Sequence, residues 1–304
     1  MTTTAPARAL TRTAVAARSA PRATRSREPV RLVRRLPLNL AALLTFVLSV
    51  FPVYWMITTA FKPTDDIQAD TPLFVPTSLT LDHFSKAIAA DGFWMFWRNS
   101  LFLTFSSVLM ALLVGLAAAF AVARLRWRGR RGFYLLVFMA QVAPWGSLLI
   151  PMYIIARDTD MLDRLPMLTL IYFMVNLPFT IVTLRSFLVG IPVELEEAAQ
   201  VDGCTRAGAF RRITFPLLAP GLLATSLFGT ITAWNEFAYA NMLIIKSQDD
   251  RSLPVWLSSF SNVFGTDWGA TMAASTLFAL PVLVLFLVLQ GRVAAGMTGG
   301  AVKG

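Results

Sequence analysis

Residues 99–123 read NSLFLTFSSVLMALLVGLAAAFAVA, a stretch without a single aspartate, glutamate, lysine or arginine. A helix rises ~1.5 Å per residue, so this stretch is long enough to cross the ~30 Å hydrocarbon layer of a membrane. The sequence therefore predicts an all-α, polytopic membrane protein with six transmembrane helices. The other five apolar blocks lie at residues 36–61, 133–156, 166–190, 217–245 and 270–294.

The overall composition supports a membrane protein. Apolar residues make up 56% of the 304 residues, only 14% are charged, and the mean hydropathy is +0.62. A water-soluble domain has about 25% charged residues. One cysteine cannot form an intrachain disulfide, and one histidine leaves no zinc site of the usual Cys and His ligands. We therefore expect no metal site and no catalytic residues.

The positive charges are distributed unequally between the segments that connect the blocks. Twenty of the 27 lysines and arginines lie in the N-terminal tail, the loop after the second block, the segment before the fifth block and the C terminus. The positive-inside rule then predicts that both termini are cytoplasmic, and it explains the net charge of +10 without nucleic acid. The densest cluster, interpreted as a topology anchor, is Arg124, Arg126, Arg128, Arg130 and Arg131.

The chain divides into three parts by composition. Residues 1–36 contain nine arginines and one acid and should form a disordered cytoplasmic tail. Residues 37–294 should form the six-span domain, and residues 295–304 a short cytoplasmic C-terminal tail. Within the spans, prolines such as Pro144 should kink or interrupt a helix. Gly115 and Ala119, four residues apart, predict a close contact between helices.

The two longest outward loops, residues 62–98 and 246–269, mix aromatic with polar residues. Aromatic side chains are enriched where a membrane meets water, so an interfacial belt is the favoured interpretation. A docking surface for a soluble partner is the alternative.

Residues 191–216, IPVELEEAAQVDGCTRAGAFRRITFP, separate the fourth block from the fifth. Pro192 suits the first turn of a helix, the glutamates that follow suit its positive N-terminal end, and Gly203 suits a left-handed stop. Thr205 is the predicted N-cap of a second short helix. A helix of about ten residues is marginal by itself. From the residues alone, a docking element and a solvated connector remain equally open.

The same segment resembles the EAA loop in the membrane subunits of ABC importers. The pattern of that loop is E-A-A-x3-G-x9-I-x-L-P, and the spacing matches throughout, with Phe215 in place of the usual leucine. We call residues 191–216 the EAA segment. Other stretches are similar to the carbohydrate-uptake branch, in particular the maltose-type second permease: residues 51–55, 61–62, 233–237, 265–269 and 299–304.

This resemblance implies a type I ABC importer permease fold and a role for the EAA segment in coupling to an ATPase. Glu197 would be the charged contact to the ATPase, Ala198 and Ala199 the closely packed face, and Gly203 the turn. The remaining residues of the implied coupling set are Glu194, Asp202, Ile213 and Pro216.

The resemblance also implies the partners and the location of the chain. They are a second six-span permease, with which the chain forms a heterodimer, a cytoplasmic ABC ATPase dimer and an extracytoplasmic sugar-binding protein, all at a bacterial inner membrane. The implied function is import of a sugar or oligosaccharide by alternating access. The chain has no G-x-x-x-x-G-K-[ST] phosphate loop. It should therefore be a transport subunit rather than an enzyme, and bind no cofactor, with ATP and Mg used by the partner ATPase.

Glu236 is the only acidic residue predicted inside a span. An ionisable group in a membrane is costly to bury and is a functional candidate by default. In a sugar path, Trp234 would suit a ring face and Asn235 or Glu236 the hydroxyls, with Asn176 a weaker candidate. A structural role for Glu236 is equally open.

Two other functions remain open. An ion-coupled secondary transporter would use Glu236 as its ion site, and an ABC permease could import a solute other than a sugar. The spacing of the EAA segment argues against the first, and the resemblance of the other stretches argues against the second.

Overall fold

The computed structural model describes residues 30–262 and 265–298. Regular structure in these residues is helical, apart from one two-residue antiparallel ladder between β1 (Ser261–Asn262) and β2 (Gly265–Thr266). Most of the predicted N-terminal tail and the last residues of the predicted C-terminal tail lie outside the described residues. The helices are α1 (Val30–Phe61), α2 (Thr64–Ile67), α3 (Asp82–Ala89), α4 (Phe93–Arg124), α5 (Arg130–Val142), α6 (Leu149–Asp158), α7 (Leu165–Gly190), α8 (Val193–Val201), α9 (Arg206–Ala209), α10 (Phe215–Trp234), α11 (Ala238–Leu243), α12 (Leu253–Ser258) and α13 (Trp268–Thr298).

Within the described residues, five continuous helical stretches are long and apolar enough to cross a membrane. They overlap the first, second, fourth, fifth and sixth predicted blocks, which confirms the all-α polytopic class. These stretches are Pro37–Phe61, Phe93–Arg124, Leu165–Gly190, Arg206–Trp234 and Trp268–Gly291.

The third predicted block is interrupted at Pro144, which confirms the prediction for this proline. Helices α5 and α6 are inclined by 90° to each other, with the 3-10 turn Trp145–Leu148 between them. Pro144 lies at the break, where its missing N–H and its ring prevent α5 from continuing. The count is six spans if this bent pair crosses the membrane as one.

The described residues form two units, one that ends at Phe51 and one that begins at Pro52. The first contains most of α1, and the second contains every other helix and the EAA segment. The sites described below lie in the second unit.

Helices α4 and α7 approach closely in the second unit. A Cβ added at Gly115 of α4 would lie 2.6 Å from Cγ2 of Thr180 in α7, so no larger residue fits there without a shift. One turn on, Ala119 is fully buried in a cluster with Leu184 and Leu188 of α7. The predicted small-residue contact at Gly115 and Ala119 is confirmed.

The aromatic belt prediction is wrong for part of its residues. Helix α4 begins at Phe93 rather than at residue 99, so the aromatic run belongs to its first turns. Phe93 and Phe96 are buried in one cluster with Trp256 of α12, and the ring centroids of Phe93 and Trp256 are 5.2 Å apart. Trp94 and Trp268 remain exposed. Burial against other helices outweighed the interfacial preference of the buried rings.

Candidate functional site

The helix of the EAA segment, α8, ends at the predicted glycine turn. Asp202 follows the last helical residue, and Gly203 has φ of +90°, a conformation that favours glycine. The N–H of Gly203 donates to the carbonyl of Gln200 at 3.1 Å, and that of Cys204 to the carbonyl of Ala199 at 2.9 Å. These two bonds form a Schellman motif, which satisfies carbonyls at the end of α8.

The second predicted helix starts as expected but is not separate. Thr205 accepts a hydrogen bond from the N–H of Gly208 at 3.1 Å and thus caps α9. Helix α9 continues through the π turn Phe210–Thr214, which contains Ile213, into α10. Pro216 lies in the first turn of α10, where it has no N–H to donate to the carbonyl four residues earlier.

A buried ion pair holds α8 against the rest of the second unit. Nε of Arg124 donates to Oε1 of Glu196 at 2.8 Å, and each side chain is only 11% exposed. The Thr214 hydroxyl donates to the same oxygen at 2.8 Å. Nη2 of Arg124 donates to the carbonyl of Ile191 at 2.9 Å. The interpretation of Arg124 as only a topology anchor is therefore incomplete.

Sequence reasoning missed Arg124, Glu196 and Thr214 as site residues. Glu196 and Ala199, three positions apart on α8, are the two residues that this helix buries. One of them is charged, so the pair shows no hydrophobic period that could have revealed the inward face.

The opposite face of α8 is exposed. Glu194, Glu197, Ala198 and Val201 follow the spacing i, i+3, i+4 and i+7, and the Val201 side chain is 88% exposed. Asp202, just past the helix, is exposed as well. Of the two alanines predicted to form one closely packed face, only Ala198 lies on the exposed side, since Ala199 points inward. Val201 had not been predicted.

A cavity of ≈ 920 Å³ adjoins α8 on the side of α4 and α9. Its lining combines apolar residues of α4, among them Phe120, with the ionic residues Arg124, Glu197 and Arg206. Polar and apolar contacts are therefore both available beside the exposed face of α8.

The structure places three of the predicted path residues, Trp234, Asn235 and Glu236, at a break after α10, which ends at Trp234 rather than at residue 245. Glu236 lies between α10 and α11, and its carboxylate accepts the N–H groups of Tyr239 at 2.8 Å and Ala240 at 3.2 Å. The amide of exposed Asn235 donates to the carbonyl of Ile231 at 2.7 Å. Glu236 therefore caps α11, which satisfies N–H groups at the start of that helix.

Trp234 and Asn176 are both buried. Nε1 of Trp234 donates to the carbonyl of Phe278 in α13 at 3.0 Å, and the ring is 2% exposed. Asn176 of α7 donates to the carbonyl of Tyr172 at 3.0 Å, and its Oδ1 has no hydrogen-bond partner among the described residues. The structure thus separates the predicted path residues into a buried pair and the pair at the break.

Comparison with known proteins gives a consistent result. The family model of the binding-protein-dependent transport system inner membrane component matches residues 111–299. The diacetylchitobiose uptake system permease protein DasC of Streptomyces coelicolor is 53% identical over 88% of this chain and 96% of its own length. The trehalose transport system permease protein SugB of Mycobacterium tuberculosis is 34% identical over 84% of this chain and 93% of its own length.

Solved structures show the same fold. A chain of a bacterial ABC transporter involved in the import of the acidic polysaccharide alginate superposes with a TM-score of 0.74 at 19% identity. The match covers 87% of this chain and 98% of that chain. The family match, the two relatives and the shared fold lead to one conclusion: this chain is a multi-pass membrane protein that belongs to the binding-protein-dependent transport system inner membrane component family, the permease subunits of ABC importers.

Proposed function

We propose that this chain is the membrane-spanning subunit of an ATP-driven importer that moves a sugar or oligosaccharide into the cytoplasm by alternating access. The observation that carries the proposal is the two-sided α8. Its inner face is held by Glu196 and Ala199, and its outer face presents Glu197, Ala198 and Val201. A short helix that is fixed on one side and exposed on the other is suited to dock in a cleft of an ATPase.

ATP hydrolysis belongs to a partner in this proposal. The sequence has no phosphate loop, so ATP and Mg bind to a separate cytoplasmic ABC ATPase dimer. A second six-span permease completes a heterodimer, and an extracytoplasmic sugar-binding protein delivers the substrate.

The orientation places both termini and the EAA segment in the cytoplasm of a bacterium, with the chain in its inner membrane. The contact between Arg124 and Glu196 supports this orientation. It brings the arginine-rich loop and the EAA segment to the same end of the second unit, and both contain arginines, which are enriched on the cytoplasmic side.

The relatives suggest the first substrate to test. Their names refer to diacetylchitobiose and trehalose, and the first of these relatives is 53% identical to this chain. We therefore choose diacetylchitobiose as the first probe and trehalose as the second.

The experiment is purification of the tagged chain from its native membrane in mild detergent, followed by reconstitution of everything that stays bound into vesicles. We expect an ATPase, a second permease and a binding protein in the preparation, and uptake of labelled diacetylchitobiose or trehalose that requires ATP. Uptake that does not require ATP and stops when an ion gradient is removed would contradict the proposal and favour a secondary transporter. ATP-dependent uptake of only a non-sugar solute would contradict the substrate class alone.

A further inference from the structure

We propose that Arg124 and Glu196 are positioning residues that make α8 and the cytoplasmic end of α4 move as one body, so that force applied to α8 reaches α4 as well as α10. This inference rests on the proposed function, because it concerns how the movement of an ATPase is transmitted. It assigns no contact with substrate or nucleotide to either residue.

One carboxylate oxygen connects three segments of the chain. Oε1 of Glu196, on α8, accepts from Arg124 at the last residue of α4 and from Thr214 in the π turn before α10. Arg124 uses a second nitrogen for the carbonyl of Ile191, at the end of α7. The guanidinium group therefore holds both the side chain of α8 and the backbone that leads into it.

The connection to α4 is separate from the connection to α10. Helix α8 packs on α9 and on the π turn, and both continue directly into α10. Force applied to α8 would be transmitted to α10 through this packing and through the covalent chain. Arg124 lies 72 residues from Glu196 in sequence, so its contact provides a non-covalent route into another span.

The Arg124–Glu196 pair is more deeply buried than the other ion pairs of the described residues. Lys86 and Asp267 are 4.0 Å apart and more than half exposed, and Arg157 pairs with its exposed neighbour Asp158. Exposed pairs such as these contribute little, whereas removal of one partner from a buried pair leaves an uncompensated charge. Separating Arg124 from Glu196 therefore costs energy, and this cost keeps α4 and α8 together during movement.

The α4 side of the pair leads into the core. Gly115 of α4 lies against Thr180 of α7, and Ala119 is buried in one cluster with Leu184 and Leu188. Because close-packed interiors transmit displacement, a shift at Arg124 moves the α4–α7 contact.

The test uses the complete reconstituted transporter and measures substrate imported per ATP hydrolysed. For Arg124→Gln and Glu196→Gln we expect this ratio to fall by about tenfold or more, since each variant breaks the buried pair. We expect the ATPase to stay bound, because Glu197 is unchanged. Arg128→Gln is the matched control: it removes the same charge from an exposed position of the same loop, and the ratio should stay at the wild-type value.

Two milder variants keep the test decisive if a broken pair prevents assembly. Arg124→Lys retains the charge but loses the planar group that reaches both Glu196 and Ile191. Thr214→Val removes one donor and leaves the ion pair. We expect the amount of substrate imported per ATP hydrolysed to fall in both variants, and to fall less in Thr214→Val.

The outcomes distinguish failure of this inference from failure of the proposed function. If the wild-type complex shows no ATP-dependent uptake, the proposed function is wrong, and the pairing with it. If the wild type transports and the variants assemble less well but keep the wild-type ratio, the pair is only structural and this inference is overturned alone.

Discussion

At the scale of single residues, two adjacent glutamates of the EAA segment have opposite environments. A helix turns ~100° per residue, so Glu196 points to Arg124 and Thr214 while Glu197 points outward. The buried residue holds the helix in place, and the exposed one is available to a partner.

Reversing the charge at Glu197 should uncouple transport. We expect Glu197→Lys to insert into the membrane normally, because the residue has no internal ion pair among the described residues. ATPase binding and uptake should be lost through like-charge repulsion from a basic group on the ATPase. Copurification of the ATPase and vesicle uptake measure this. Asp70→Lys, the same reversal at an exposed residue of the opposite loop, is the control, and wild-type uptake in Glu197→Lys would contradict the proposed role.

Asp163 illustrates a second kind of residue-scale contribution. Its Oδ1 accepts the N–H groups of Ile245 at 2.6 Å, Lys246 at 2.7 Å and Ser247 at 3.2 Å. Partial burial acts to raise the pKa of this carboxyl group. The three backbone hydrogen bonds and the charge of Lys246 outweigh burial and lower the pKa below the ordinary value of 3.8. The carboxylate therefore pins the loop after α11 to the loop before α7.

This pinning should depend on pH with a definite sign. The pKa is lower in the folded state, so the stabilisation is complete above pH 3.8 and is lost as the pH falls through the folded-state value. At neutral pH we expect Asp163→Asn to speed amide hydrogen exchange at residues 245–247. Asp249→Asn, on the same loop and exposed, should not change it. Equal protection in Asp163→Asn and wild type would show that the negative charge of the carboxylate does not hold the loop.

At the scale of elements, α13 packs on α3 through a glycine. His83 of α3 is 2% exposed, and its Nε2 is 3.0 Å from the carbonyl oxygen of Lys62. A Cβ added at Gly269 of α13 would lie 2.2 Å from Cε1 of His83. The absence of a side chain at Gly269 is therefore what lets the two helices meet.

Two glycine substitutions in α13 should have different effects on stability. Gly269→Ala should cost about 1–3 kcal/mol through overpacking against His83. Gly291→Ala meets no atom within 4 Å, and should be neutral or stabilise the helix by about 0.5–1 kcal/mol. Thermal unfolding in detergent should show a lower Tm for the first variant only. Equal Tm values would mean that the α3–α13 contact does not limit stability.

At the scale of the whole molecule, the proposed orientation in the membrane depends on the apolar length of the spans together with the distribution of positive charge. The proposed orientation depends on Lys and Arg close to the span ends rather than on the distant part of the N-terminal tail. Arg31, Arg34 and Arg35 lie next to the first span and remain when the tail is shortened before them.

Deletion of residues 2–29 should leave assembly and uptake at the wild-type level. This segment is polar, arginine-rich and without apolar periodicity, so it cannot bury a core. The contrasting variant replaces Arg31, Arg34 and Arg35 with glutamine in the shortened chain, and should reduce correct insertion. Accessibility of an N-terminal tag in right-side-out vesicles reports the orientation. Loss of the assembled complex on simple deletion would show that the tail has a binding role.

The sequence by itself determined the helical class, the order of the apolar spans, the glycine turn at Gly203 and the N-cap at Thr205. Hydrophobic length and capping are properties of neighbouring residues, so they can be read along the chain. The spacing of the EAA segment likewise indicated the family.

Only the tertiary structure decided which glutamate is buried, that Arg124 lies beside it, and that α10 ends at Trp234. Arg124 and Glu196 are 72 residues apart, and no local pattern encodes such a pairing. Phe93 and Phe96 of α4 are buried for the same reason, because they pack in one cluster with Trp256 from a distant segment. Glu236 caps α11 because its carboxylate accepts the N–H groups of Tyr239 and Ala240 where the helix is interrupted. Contacts made by the folded chain, rather than local propensity, position the residues of the proposed coupling site.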